Sequence, residues 1–561
     1  MATTALDLDR LGSRSIVELL LDEQAQFSAV ELFSDYHDQL TDGTEPAQAK
    51  YYRALLPARS PSEGEQYAFD VDLDACSGCK SCVVACHTLN GLEEEEAWRR
   101  VGTVSNADES SGSALRYITT ACHHCSEPGC LNGCPVKAYE KSPETGIVKH
   151  LDDQCIGCKY CMMMCPYEVP RYSQRLGIVR KCDMCSQRLM HGEAPACVQS
   201  CPNTAISIRL ISKKEVAPPG DQRLAPGAPL SSITRPTTIY RTANADAFHD
   251  ASPLDQDIDH PHESHWPLAV MLCATQASVG LLLFERLWTF FDSSPEVTRA
   301  ALLASLVLAI AGLAVAPLHL GQPMRAWRVF LGLRTSWLSR EAVLLGNYVG
   351  GLVLAIGLAW SKPLNVPLVS SLSNSYSIQT AVWVALASGM TGIISSGMIY
   401  VATRRELWSF SKTMLQFGGT ALVTGAVWLA ATVLAVKAFD SANLSVFSAR
   451  FLAIAATVCL IAKVGWEWRF RLGPDRSSDS SLQRRSRLVV RRHLALLKRL
   501  RLSLAALAAL SMLACTALLS MSAIGLSIAV LAAVVCSAGE ICARLLYFSS
   551  IVFERMPGAL R

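Results

Sequence analysis

Sixteen of the 21 cysteines lie between Cys76 and Cys201, and their spacing defines the first candidate chemistry. Cys76, Cys79, Cys82 and Cys86 follow C-x2-C-x2-C-x3-C, and Cys155, Cys158, Cys161 and Cys165 repeat it. Cys122, Cys125, Cys130 and Cys134 follow C-x2-C-x4-C-x3-C, whereas Cys182, Cys185, Cys197 and Cys201 have a longer central gap. Three thiolates on one tight loop can cap three irons of a cubane while the displaced fourth points away. In two-cluster ferredoxins that fourth Cys ligates the other cluster and a Pro follows it. Pro135, Pro166 and Pro202 follow three of the four group-ending cysteines, and His87 follows Cys86. Four such groups make two interlocked pairs and predict four [4Fe–4S] clusters, with all sixteen cysteines as iron ligands. Spacing alone leaves open which group pairs with which.

Zinc sites also use C-x2-C, but in closed two-plus-two tetrahedra that do not need the C-x2-C-x2-C-x3-C-P run. A disulfide framework needs an oxidising compartment. The opening MATTALDLDRLGSRSIVELL has no basic stretch followed by an apolar core, and no twin-arginine pair. The N-terminus is therefore expected in the cytoplasm. Cys273, Cys459, Cys515, Cys536 and Cys542 stand singly in apolar stretches and read as small buried thiols. Lys80, Lys159 and Lys181 adjoin cluster ligands, where positive charge would favour reduced clusters.

The elements that position these groups divide the 561 residues into unlike halves. Residues 1–67 read as an N-terminal extension with a charged helical start. Residues 68–210 form the cysteine-dense domain, with strand-like phrases such as GIVKH and TAISIRLI. Residues 211–265 are a Pro- and Asp-rich linker expected to run over a surface. Residues 266–561 carry apolar runs long enough for helices that must cross about 30 Å of hydrocarbon. Eight spans are expected, at 267–290, 297–317, 341–360, 378–402, 413–436, 448–468, 499–519 and 523–548, with a tight turn near Ser520 joining the last two. The expected fold is an α+β ferredoxin-like domain with four clusters followed by an all-α eight-helix transmembrane bundle. A net charge of +3 gives no nucleic-acid signal.

Four cysteine groups in this order, with ACHHCSEPGCLNGCP and QCIGCKYCMMMCPYEVPRY, resemble the iron–sulfur subunit of the dimethyl sulfoxide reductase family of molybdenum enzymes. The membrane half, with PLHLGQPMRAWRVFLGLRTSWLSRE and GEICARLLYF, resembles that family's anchor subunit, which spans the membrane eight times and meets quinol. The resemblance implies a fusion of two subunits that are usually separate. It also implies the pairing of the first group with the fourth and of the second with the third. One cluster then takes Cys76, Cys79, Cys82 and Cys201, and the next takes Cys182, Cys185, Cys197 and Cys86. The third takes Cys122, Cys125, Cys130 and Cys165, and the fourth takes Cys155, Cys158, Cys161 and Cys134. Some relatives lack a Cys at the position of Cys158 and hold a three-iron cluster there; its presence here implies four cubanes. No molybdopterin site is recognisable, so substrate chemistry is expected on a separate molybdopterin-containing catalytic subunit.

Membrane haem needs axial ligands on facing helices. Only His319 lies at a span edge, while His493 sits in a cationic loop, so haem is not expected. A quinone site is expected instead, because ionisable residues at membrane depth are functional candidates. His319 and Glu341 bracket one membrane-edge loop, and the resemblance points to the same positions: His319 to bond a quinone oxygen, Glu341 to relay protons. The competing expectation is an interfacial cap plus a salt bridge from Glu341 to Arg340 or Arg325. Glu540 and Arg544, at i,i+4, read as an internal ion pair.

Basic residues in the loops argue orientation. Eighteen lie on the side shared with the N-terminus, from Arg325 through Arg404 and Lys412 to the run Arg469–Arg501, against Arg286, Arg299, Lys362, Lys437 and Arg450 on the other. The cluster domain is therefore expected on the cytoplasmic face of the inner (plasma) membrane. The long basic run reads as a contact with anionic lipid. A cytoplasmic catalytic end resembles the family's sulfite-oxidising branch, which sends electrons into quinone. Reduction of dimethyl sulfoxide or another oxyanion by quinol is the alternative, and a membrane scaffold without electron transfer is the second. No strand followed by G-x-G-x-x-G occurs, which argues against an NAD-linked enzyme.

Overall fold

The computed structural model describes residues 17–18, 49–106, 115–214, 216, 222–291, 294–364, 367–440, 446–517 and 522–558. The helical start expected for the N-terminal extension and the turn expected near Ser520 fall largely outside these residues.

In the front half, β1 (Glu65–Asp72) runs antiparallel to β8 (Ile206–Ser212), from Glu65 opposite Ser212 to Val71 opposite Ile206. The first and last strands of the cysteine-dense region thus close on each other, which carries the first cysteine group to the fourth. Between them, β2 (Arg100–Ser105) pairs with β3 (Leu115–Thr120). The short ladders of β4 (Tyr139–Lys141) with β5 (Val148–His150) and β6 (Arg171–Ser173) with β7 (Ile178–Arg180) separate successive cysteine groups. Apolar residues on alternate positions of these strands, among them Phe69, Ile118, Ile206 and Ile208, make a core that the cysteines themselves join. The Pro- and Asp-rich segment is woven into this domain. Its β9 (Ile239–Arg241) adds to β1 in parallel, and its β10 (Ser252–Pro253) adds to β2.

Among the described residues the membrane half contains eight long helices: α1 (Trp266–Trp288), α2 (Pro295–Val315), α3 (Trp337–Ser361), α4 (Ser375–Val401), α5 (Phe410–Asp440), α6 (Val446–Glu467), α7 (Ala495–Ala517) and α8 (Ser522–Ser549). Seven stretches are long and apolar enough to cross a membrane, and α7, which opens with Lys498, Arg499 and Arg501, is the helix outside that set. Small residues let helices meet, as membrane packing requires. A Cβ on Gly280 of α1 would overlap the carbonyl oxygen of Ala421 on α5.

The expected Glu540–Arg544 ion pair does not form. Glu540 is instead paired with Lys463 of α6 and with Arg501 of α7, the latter at 2.8 Å. Arg501 also meets Glu467 at 2.9 Å, so two cations and two carboxylates from three helices close a ring. Arg544 turns to Gln276 at 2.7 Å and lies over the Phe417 ring. A carboxylate without water needs its lone pairs filled. Lys463, Arg501 and the Thr420 hydroxyl at 2.8 Å supply those partners from facing helices.

The two halves interlock. The segment between α2 and α3 grips the cluster loops through Gln322 N–H to the Ile156 carbonyl (3.0 Å), Gly332 N–H to the Pro135 carbonyl (2.7 Å) and the Ser336 hydroxyl to the Gly133 carbonyl (2.7 Å). Arg325 donates to the carbonyls of Asp152 and Cys155, both at 3.2 Å. After α8 the chain returns to the front half, where Met556, 1% exposed, packs in the cluster-domain core.

Candidate functional site

The cysteine loops owe their shape to left-handed backbone at fixed offsets. Gly78 and Lys80 in the first group have φ of 70° and 62°, and Gly157 and Lys159 in the third have 68° and 59°. His124 in the second group and Met184 and Cys185 in the fourth also have positive φ. Such turns fold the N–H groups and thiols towards the inside of the loop. Gly157 N–H, Met184 N–H, Ala138 N–H and Ala205 N–H point at the sulfurs of Cys155, Cys182, Cys134 and Cys201 at 3.2–3.4 Å. Hydrogen bonds of this kind to sulfur tune an iron–sulfur cluster.

The thiols gather in fours. Cys86, Cys182, Cys185 and Cys197 line one small space, and Cys122, Cys125, Cys130 and Cys165 line another. Cys76 faces Cys82, Cys201 and Cys79, while Cys161 faces Cys158, Cys155 and Cys134. Burial pushes the Cys86 thiol up to about 12, and the nearby Cys197 adds to that. Burial likewise raises Cys165 and Cys185 to about 11. Buried thiols this reluctant to ionise need a cation to become ligands, and iron supplies one. Among the described residues no three His, Cys, Asp or Glu side chains converge on a single-ion site. The donor set, four thiols to each group, fits a cluster.

Against the membrane lies a cavity of about 700 Å³ whose wall includes Cys158, Lys159, His265, His319, Tyr400 and Trp408. His319 reaches it from the short helix Ala316–His319 that continues α2, and its Nδ1 has no protein partner. Burial and the neighbouring Lys159 charge hold the His265 imidazole below its usual range. Glu341, on the first turns of α3, is not in this wall. It accepts from the Ser396 hydroxyl of α4 and lies beside Tyr160 and Tyr400. Neither arginine expected to pair with Glu341 does so: Arg340 donates to the carbonyls of Leu333 and Arg334, and Arg325 to those of the cluster loop. His265, Tyr160 and Tyr400 were not singled out from the sequence. Tyr160, inside CKYCMMM, is one residue before Cys161, and that proximity was its one available signal.

This fold and these thiol-lined spaces define an iron–sulfur electron-transfer protein held in a membrane by its own helical bundle. A family model described as 4Fe-4S dicluster domain matches residues 113–210, and one described as DMSO reductase anchor subunit (DmsC) matches residues 261–549. The B subunit of the anaerobic dimethyl sulfoxide reductase of Escherichia coli (strain K12) is 34% identical over 186 residues, which cover 31% of this chain and 88% of the relative. Hydrogenase-2 operon protein HybA of Escherichia coli O157:H7 is 37% identical over 180 residues, 28% of this chain and 54% of its own. The iron-sulfur subunit of the nitrate-inducible formate dehydrogenase of Escherichia coli (strain K12) is 34% identical over 198 residues, 32% of this chain and 63% of its own. The chain belongs to the dimethyl sulfoxide reductase family, with an iron–sulfur electron-transfer subunit and a membrane anchor subunit fused in one polypeptide.

Proposed function

We propose that this chain carries electrons between a separate molybdopterin-containing catalytic subunit and the membrane quinone pool through four [4Fe–4S] clusters. Cys76, Cys79, Cys82 and Cys201 hold the first cluster, and Cys86, Cys182, Cys185 and Cys197 the second. Cys122, Cys125, Cys130 and Cys165 hold the third, and Cys134, Cys155, Cys158 and Cys161 the fourth. When bound, the clusters supply single-electron carriers in series. The observation that carries this reading is that Cys158 and His319 share one cavity wall at the boundary of the two halves. A ligand of the last cluster and an imidazole thus line the same space. His319 bonds a quinone oxygen there, and Glu341, behind Tyr400, moves the proton.

The residues 68–210 act as the cluster domain, 211–265 as the tie between halves, and 266–561 as the anchor. The excess of basic residues on the cluster side supports a cytoplasmic face, with anionic lipid against the arginines around the helix Ser481–Arg492. That orientation supports sulfite oxidation as the reaction of the catalytic partner. The names of the relatives support the second reading, reduction of dimethyl sulfoxide by quinol. Anaerobic purification in mild detergent tests the proposal. Four cubanes by iron and acid-labile sulfide, a co-purifying molybdopterin subunit and electron exchange between the clusters and a quinone or quinol analogue are expected. Protein without sulfide, or clusters that neither pass electrons to a quinone analogue nor take them from a quinol analogue, would overturn it, and a phosphatase reporter active at Arg561 in the periplasm would reverse the orientation.

A further inference from the structure

Arg99, the first arginine of EEEEAWRR, is 2% exposed in the fold. Its Nη1 donates to the Thr119 hydroxyl at 3.1 Å, and that oxygen lies 3.5 Å from the sulfur of Cys82. The same guanidinium lines the space shared by Cys86, Cys182, Cys185 and Cys197, and it rests on the Phe69 ring at 4.6 Å. Its guanidinium also contacts the Cys197 thiol. No carboxylate pairs with it among the described residues, where the ion pairs of this region join Arg180 to Glu96 and Arg175 to Glu93.

A guanidinium out of water must be balanced by negative charge close by. The groups that face Arg99 are the thiols of Cys197, Cys82, Cys182 and Cys86, drawn from two ligand sets at once. Reduction of a cluster adds one electron, hence one negative charge, while no bond forms or breaks. A fixed cation beside the cluster lowers the energy of that reduced state, most strongly in a buried and poorly screened site.

We propose that Arg99 is a positioning charge shared by the first and second clusters, which raises both reduction potentials together and so keeps the electron step between them level. The inference rests on the ligand sets proposed above.

The test uses the full chain, purified anaerobically with its clusters, as wild type and as Arg99→Met and Arg99→Lys. EPR-monitored redox titration follows each cluster, and iron and acid-labile sulfide are counted on the same samples. Arg99→Met is expected to lower the reduced-to-oxidised ratio of the first and second clusters about tenfold at a fixed potential, a downward shift of about 59 mV for a one-electron couple. The third and fourth clusters stay in place, and Arg99→Lys recovers most of the shift. Unmoved potentials in Arg99→Met, an equal shift of all four clusters, or a lysine variant that behaves like methionine would each overturn the proposal. If Arg99→Met fails to load, Arg99→Gln decides, since it removes the charge and keeps a side-chain amide that can donate to the Thr119 hydroxyl. A fall of the first and second clusters together supports the proposal, and no change, or a fall of the first alone, overturns it. Fewer than four clusters in the wild type would instead count against the ligand sets.

Discussion

The Tyr160 hydroxyl donates to the carbonyl oxygen of Ile399 at 3.1 Å, joining a cluster loop to the end of a membrane helix 239 positions later. The ring is buried in the membrane-half core, so the loop that carries Cys158 and Cys161 is plugged into the bundle rather than resting on it. Tyr160→Phe should cost about 1 kcal/mol, the net worth of a buried hydrogen bond. A lower thermal midpoint in detergent, with iron content unchanged, is the reading that checks it.

Three glycines let the backbones of the two halves meet closely. Gly157 and Gly177 have φ of 68° and 65°, and a Cβ on Gly321 would overlap the Gly177 carbonyl oxygen. Gly321→Val must therefore push the interfacial segment off the cluster loop. Reduction of the clusters by a quinol analogue should slow about tenfold, in line with the cost of small misplacements in reacting geometry. Sulfide content should not change, and stopped-flow bleaching of the cluster absorbance separates the two effects.

His319→Ala should abolish quinone-linked turnover while all the clusters remain, and Glu341→Gln should slow the proton-coupled step in the same assay. Unchanged turnover in His319→Ala would remove that residue from the site. Cys158→Ala should leave the other fifteen ligands in place and give a three-iron EPR signal in the oxidised protein, where the unaltered chain should give none.

Glu540→Gln should destabilise the bundle by about 3 kcal/mol, because Lys463 and Arg501 are left as two buried cations with the single carboxylate of Glu467 between them. Replacing Lys463 and Glu540 together by apolar residues should recover part of that loss. Thermal melting of the two variants side by side in one detergent gives the comparison.

The cysteine groups and the membrane helices were legible because each is written locally. Spacing within a few residues shapes a cluster loop, and about twenty apolar residues must be a membrane helix. The span expected at 378–402 is the helix Ser375–Val401. Helix α3 starts at Trp337, four residues before the expected 341, since its first turn, Trp337–Arg340, is too polar for hydropathy to detect. Long-range choices were not legible. Glu540 at i,i+4 from Arg544 looked paired, and only the packing of α6 and α7 against α8 shows that Lys463 and Arg501 reach it first. Arg99 gave no local signal either, since Thr119 and Cys197 lie 20 and 98 residues away. Tyr400 has no local signal at all.

Met556 has a consequence for how the molecule comes into being. A ribosome makes the cysteine-dense region first, yet one of the side chains that fills its interior emerges after the eighth long helix. The front half can therefore reach its final packing only once the whole bundle has been threaded into lipid and the tail has come back across. Assembly of the inorganic centres and insertion into the bilayer are thus coupled in time, and a chain stalled in the translocon would keep an open, unfinished metal domain.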